Sequence, residues 1–484
     1  MVFSSPIFLF LFLPLVLTVY PLARNLRSKN LWLLLASIIF YAWGEVAFVC
    51  LMLVCTLVNY ALGQWVDRAN DATRRRWVVG LAIALNIGLL AFFKYANFLV
   101  QNLNWLLALL KLSPVPWTPV RLPIGISFFT FHALSYVIDI YRRKVRAAGN
   151  PATVALYIFL FPQLIAGPIL RWSAMSPQFA RRIVTSDGFA EGIRRFIYGL
   201  AKKMLIANVV AVPATKIFSL PARELSPELA WFGTLCYTLQ IYYDFSGYSD
   251  MAVGLGKMFG FDFIENFNSP YIAQSIKDFW RRWHISLSTW FRDYLYLPLG
   301  GNRCSKTRNH LNLLTVFLLC GLWHGASWTF VIWGLYHGVF LVLERTRFGA
   351  LIQSLSRPLR HLYTLVVVMV GWVLFRADTL PQAMTLLGLM FGVRHGTDLS
   401  QLLAMHMTHQ VAWAILFGIL FAVPLRAWLR QLRPRLAATL PGALQPVTLC
   451  ASIVLEPMLL MVLLVISSVW LAGNTYNPFI YFRF

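Results

Sequence analysis

Acidic side chains are what this chain has least of. Asp and Glu number 18 in 484 residues against 42 Lys and Arg, a formal charge of +24, and charged residues of either sign are only 12% of the total. So little charge cannot cover a water-soluble body of this size, and hydrophobic residues at 59% complete the exclusion. Cysteine is also sparse. Cys50, Cys55, Cys236, Cys304, Cys320 and Cys450 show no CxxC and no metal-ligand spacing, so neither a disulfide framework nor a metal site is expected. Most of them lie in apolar stretches and read as small core hydrophobes. Nucleotide-binding loops are missing: there is no GxxxxGK[ST], and Gly254-Leu255-Gly256 sits in an apolar helical context that reads as packing. The segment before Ile7 lacks the basic region and cleavage site of a signal peptide, so residues 7–22 read as a retained first span. No short-period repeat is found.

What is present is a series of apolar runs, many of about 17 residues or more, separated by short clusters of cations. Lys and Arg in loops set membrane orientation, whereas a nucleic-acid binder gathers them in a separate basic domain. The chain therefore reads as an all-α, polytopic membrane protein, one domain over residues 1–484, with membrane lipid and not nucleic acid as its surroundings. Basic loops on the cytoplasmic side predict about a dozen crossings, both ends outside. A hairpin is expected at 31–43 and 46–66, then a span at 77–93, an external or interfacial segment at 96–120 and a return at 122–141. Residues 154–170 are apolar but have cations on both sides, so they are expected to re-enter without crossing. Phe161-Pro162-Gln163-Leu164-Ile165-Ala166-Gly167-Pro168 supplies the breaks, and irregular backbone at that depth implies a lining of protein or a watery cavity. Later spans are expected at 204–220, 231–243, 362–375, 409–425 (returning to basic residues 426–435) and 447–471.

Between 311 and 343 there is no Asp, Glu, Lys or Arg, and the stretch is too long for one span. It must go out and back. Two histidines interrupt it, His324 in Gly-Leu-Trp-His-Gly and His337 in Trp-Gly-Leu-Tyr-His-Gly. An ionisable group at membrane depth is costly and marks a candidate functional site. The glycines beside His324 admit a ligand or a second backbone close to the ring. The bland alternative is a neutral histidine bonded between helices. Without a helix break, His337 falls on a different face from His324 and reads as structural.

Residues 262–310 form a cytoplasmic interfacial segment in this reading. Ser275-Ile276-Lys277-Asp278 is a capping-box-like helix start, and Phe279, Trp283, Leu287, Trp290 and Tyr294 then recur at helical spacing on one aromatic face. That pattern predicts an amphipathic helix on the inner membrane surface, tryptophans at headgroup level. Asp244 and Asp250 follow a transmembrane run with no obvious neighbouring cation, and read as helix caps at the cytoplasmic floor.

Phe279-Trp280-Arg281-Arg282-Trp283-His284, with Tyr242–Ala252 and Gly321-Leu322-Trp323-His324-Gly325, resembles the membrane-bound O-acyltransferase family, in particular its bacterial exopolysaccharide branch of alginate and cellulose O-acetylation proteins. Phe93–Phe98, Ile124–Phe128, Phe161–Pro168, Gly371–Ala377 and Tyr476-Asn477-Pro478-Phe479 extend the likeness through nearly the whole chain. The resemblance implies transmembrane and re-entrant helices around a central tunnel in the bacterial inner membrane. It implies acetyl taken from cytoplasmic acetyl-CoA, with no bound cofactor, and passed to periplasmic acetyltransferase or acceptor proteins of an exopolysaccharide acetylation complex. The family's membrane histidine falls on His324 and its second signature position on His284. Gln163 stands where the alginate proteins carry His, which leaves the glycan open.

Acyl transfer from a thioester to a hydroxyl needs a base and a stabilised oxyanion. A neutral imidazole suits the first role, so His324 is the expected general base, with an acetyl-imidazole as the alternative. His284 orients the acyl carbonyl, donates to the oxyanion, or packs. Coenzyme A is a polyanion with an aromatic base, and Trp280, Arg281, Arg282, Trp283 and Arg303, with Asp278 and Asp293 in the same block, are the candidates at its entry; for each arginine, lipid headgroups compete. A transporter or lipid-carrier flippase is the rival reading, and it predicts inverted repeats and midplane charges.

Overall fold

The computed structural model describes residues 1–394, 400–425 and 445–473, and all regular structure among them is helical. Among the described residues five helices are long and apolar enough to cross a membrane: Leu26–Arg68, Ala72–Leu109, Ser186–Phe218, Arg357–Arg376 and Val454–Gly473. Shorter apolar helices, among them Ile126–Tyr141 and Trp328–Leu343, accompany them. The apolar window of Val454–Gly473 is only 11% buried by protein. A helix exposing that much hydrocarbon is stable against lipid, not water. Basic residues 426–435 and Tyr476–Phe479 lie outside the described residues.

The chain divides into two compact units. The first comprises Met1–Ile193 with Ala252–Ile264. Asn25 caps the Leu26–Arg68 helix by accepting from the Ser28 N–H at 2.8 Å, and the helix breaks at Glu45 (φ −140°, ψ 48°), where the sequence predicts the hairpin turn. Ala72–Leu109 runs on well past residue 93, so most of the expected external segment is helix. Its sixteen added residues are mostly apolar or amide-bearing, and nothing in them breaks a helix before Pro114.

The backbone break expected at 161–168 is present. Pro151–Phe159 and a single turn at Phe161–Leu164 lead into irregular backbone, and residues 156–170 are all buried. Its polar groups are met from inside: the Phe161 N–H donates to Ser37 Oγ (3.1 Å), Tyr157 Oη–H to the Leu170 carbonyl (2.8 Å), and Gln163 Nε2–H to the Tyr157 carbonyl. Arg182 fastens residues 252–264 to this unit, donating to the Phe259 carbonyl at 3.0 Å while its guanidinium lies 4.1 Å over Phe261.

The second unit comprises Arg194–Met251 and the chain from Glu265 onward. Its framework is the helical hairpin Lys306–His324 and Trp328–Leu343, which turns at Gly325–Ser327 as the charge-free run predicts. Glycine lets the two helices meet at backbone distance: a Cβ on Gly321 would collide with the Phe330 carbonyl, and one on Gly334 with the Phe317 carbonyl. Trp333, Trp372 and Val373 are buried alongside.

Two expectations fail in this unit. Pro227–Met258 is one long helix, so Asp244 and Asp250 lie within it and are not caps. Asp244 pairs with Lys203 at 2.5 Å, and Asp250 with Lys202 at 2.6 Å and Arg195 at 2.8 Å. The cations come from another segment, invisible to a local reading. Gly199 and Gly247 bring the backbones together, each missing Cβ falling within 2.7 Å of the other's carbonyl oxygen. A π-helical turn at Lys202–Ala207 follows, where consecutive lysines both reach aspartates of the long helix.

The second failure concerns the aromatic face. Phe279, Trp283, Leu287, Trp290 and Tyr294 are all buried, so the tryptophans contact protein and not headgroups. The expected continuous helix is two short ones, Ile276–Arg282 and Ile285–Phe291, followed by a π turn at Arg292–Tyr296. The break falls on His284.

Candidate active site

His324 is the last residue of its helix. Gly325 follows in extended conformation (φ −169°), ending the helix and turning the chain toward Trp328. A Cβ on Gly325 would run into the Phe330 ring. The imidazole is 6% exposed and meets three aromatic rings: Trp323 at 4.8 Å between centroids, Trp333 at 5.0 Å and Phe375 at 5.1 Å, each steeply inclined. Such a collar keeps water away and holds the ring in one orientation.

His284, from a separate element, also reaches Trp323. Its backbone is left-handed (φ 43°, ψ 56°), a strained state for a side chain with a Cβ, which breaks the helix there. Asn266 holds the break open: its carbonyl accepts from the Ile285 N–H at 2.9 Å and its Oδ1 from the Ser286 N–H at 3.2 Å. On the preceding turn the Asn268 N–H donates to the Arg282 carbonyl at 3.0 Å. The ring, 1% exposed, packs edge-on to Phe245 at 4.6 Å and reaches Trp323 at 6.3 Å. Ser286 Oγ lies 3.5 Å from Nδ1, and Nε2 has no partner among the described residues. His284 sits outside the five long apolar helices; burial pushes its imidazole down to about 3, so it is neutral at physiological pH.

The two candidate catalytic histidines thus converge on one indole. His337 also belongs to this neighbourhood, because the break after His324 folds the chain back and defeats the helical-wheel estimate: its ring lies 5.2 Å from Trp333, which touches His324. Trp280 packs on both Trp333 and His337, and Trp283 on Trp372 at 4.8 Å. The charged candidates stand apart from these rings. Asp278 pairs with Arg282 at 3.0 Å, Asp293 with Arg292 at 2.6 Å, and Arg281 and Arg303 are exposed. Gln163 is buried in the first unit. Trp323, Trp333, Phe375 and Asn266 were not anticipated; Trp323 and Trp333 are inside the quoted motifs, but an aromatic residue at helical spacing carries no local sign of what it will touch.

The family profile for membrane-bound O-acyltransferases matches residues 126–380, which include both histidines. The chain is 45% identical to the "probable alginate O-acetylase AlgI" of Pseudomonas putida and 43% identical to that of Pseudomonas aeruginosa, with 100% of each chain covered. It is 38% identical to the peptidoglycan O-acetyltransferase of Helicobacter pylori over 83% of this chain and 82% of the relative. With its buried histidine pair and its multi-pass helical body, the chain belongs to the membrane-bound O-acyltransferase family.

Proposed function

We propose that this protein is the bacterial inner-membrane subunit of an exopolysaccharide O-acetylation system, taking acetyl from cytoplasmic acetyl-CoA and passing it outward to periplasmic acetyltransferase or acceptor proteins. The observation that carries the reading is that His324 and His284, from separate elements, both pack on Trp323. In this reading His324 takes the acceptor hydroxyl's proton as the oxygen attacks the thioester carbonyl. The C–O bond forms, the C–S bond breaks, and the departing thiolate recovers the proton from the imidazolium. When Ser286 Oγ–H donates to Nδ1 of His284, that ring carries its own proton on Nε2, where it donates to the oxyanion of the tetrahedral intermediate. Exposed Arg281 and Arg303 offer cations to the nucleotide phosphates. The alginate acetylases among the relatives support alginate as the glycan, with a cellulose-type polymer as the second choice.

The test uses the full-length protein in its native membrane with labelled acetyl-CoA. His324→Ala is expected to lower label transfer by about a thousandfold, the size of a general base's contribution, while insertion and thermal unfolding stay unchanged. Transfer retained within a few-fold of wild type would end the assignment.

A further inference from the structure

In the second unit one half-buried carboxylate, that of Glu344, joins the elements that carry the two histidines. The Ile276 N–H, 68 positions upstream, donates to Glu344 Oε1 at 2.6 Å, and the Lys277 N–H donates to Oε2 at 3.0 Å. Ser275 Oγ takes the next donor, the Asp278 N–H, at 3.0 Å. The orphan N–H groups at the start of the Ile276–Arg282 helix are thus met largely from outside their own segment. Tyr363 Oη–H adds a longer contact to Oε1, at 3.4 Å.

The elements gathered by this carboxylate are those that build the site. Glu344 is the C-cap of the Trp328–Leu343 helix, which supplies Trp333 to the rings around His324. Tyr363 belongs to the Arg357–Arg376 helix, which supplies Phe375 to the same rings. The Ile276–Arg282 helix leads through Trp283 directly into His284. Ring packing also links these elements, Trp280 on Trp333 and Trp283 on Trp372, but apolar contact is non-directional. Two carboxylate oxygens on consecutive N–H groups do fix a register. They set where a rigid rod of about 10 Å begins, and His284 stands just past its far end. The backbone of Glu344 is itself seated. Its N–H donates to the Phe340 carbonyl at 2.9 Å, and a Cβ on Gly349 would collide with its carbonyl.

We propose that Glu344 is a positioning residue for acyl transfer: by clamping the first turn of the Ile276–Arg282 helix, its carboxylate sets where His284 stands relative to His324. It takes no proton in the reaction and acts through His284 alone. The role rests on the oxyanion function given to His284 above and names the residue that aims that ring.

Full-length protein in its native membrane, supplied with labelled acetyl-CoA, tests this. Glu344→Ala is expected to lower kcat by about a hundredfold, the cost of misplacing a reacting group by about 1 Å, with KM within about twofold of wild type. Glu344→Gln, which keeps the reach and one acceptor oxygen, should recover about tenfold of that loss. The glutamine variant also carries the comparison should the alanine variant fail to insert. The deciding measurement repeats Glu344→Ala in a His284→Ala background, where the further loss should shrink to about twofold or less. A carboxylate that merely steadies the fold would cost the same factor in both backgrounds. That result overturns the proposal, as does Glu344→Ala at the wild-type kcat. A His284→Ala protein that transfers label at the wild-type rate would instead sink the oxyanion role of His284, and the positioning role with it.

Discussion

The second unit buries polar groups in two opposite ways. Along Pro227–Met258, Asp244 and Asp250 each meet cations within 2.8 Å. Around the hairpin turn, His284 and His337 lie deep among aromatic rings with nitrogens that nothing among the described residues satisfies. In the first region each carboxylate is met by cations of the same unit, and the Lys203–Asp244 side chains are 1% and 2% exposed. In the second the chemistry is left open. Paired charge holds the unit together, and unpaired imidazole is what remains for a substrate.

The comparison is broken most sharply by exchanging the readouts. His324→Ala should remove about a thousandfold of activity, and the unfolding curve should not move. Lys203→Met should do the reverse. Leaving Asp244 buried without its cation costs about 3–5 kcal/mol, read as a lowered midpoint of thermal unfolding in detergent, with activity per folded molecule nearly intact. The double variant Lys203→Met with Asp244→Leu should recover most of the loss, because two apolar side chains replace the pair without an orphan charge. If Lys203→Met abolishes activity at unchanged stability, the ion pair belongs to the reaction and the division between the two regions is wrong.

Much of the functional region was legible in the sequence, and the structural region was not. His324 stood out because residues 311–343 hold no formal charge and are too long for one crossing; that alone required a turn, and the turn puts His324 at the helix end. The prolines and glycine of 161–168 announced a broken, enclosed backbone. By contrast, the partners of Asp244 and Asp250 are forty or more residues away and depend on the close approach at Gly199 and Gly247, which no local pattern records. The helix break at His284 was hidden for another reason. The periodicity of Phe279, Trp283, Leu287 and Trp290 continues smoothly through it, and only the long-range grip of Asn266 forces the left-handed residue. The helical wheel that set His337 on another face from His324 assumed no helix break, and the turn between the two residues supplies one.

A smaller effect probes how tightly the charged region depends on backbone approach. Gly199→Ala places a methyl group 2.5 Å from the Gly247 carbonyl oxygen and 2.7 Å from the Met251 nitrogen, both backbone atoms that cannot swing aside. The helices must separate, at about 1–3 kcal/mol by analogy with overpacked cores. Adding Lys203→Met to Gly199→Ala should then cost less than it does alone, since the separated helices have already weakened the pair. Additive losses would mean that the glycine contact and the ion pair are independent.

The smallest effect concerns pH and separates a neutral buried histidine from a charged one. His284 is held down to about 3 by burial, against 6.5 in the unfolded chain. Below pH 6.5 the unfolded state binds a proton that the folded state refuses, so stability falls as pH drops from 6.5 toward 3 and is fully present above 6.5. At one unit below 6.5 the loss is about 1 kcal/mol, and it is insensitive to the folded value provided that lies well below 5. His284→Phe, which fills the same pocket beside Phe245 without a titrating group, should flatten this part of the acid limb while leaving stability at pH 8 within about 1 kcal/mol of wild type. An unchanged acid limb would mean that the ring is charged or solvated in the folded protein. Its Nε2 would then not be the dry, neutral donor that the oxyanion requires.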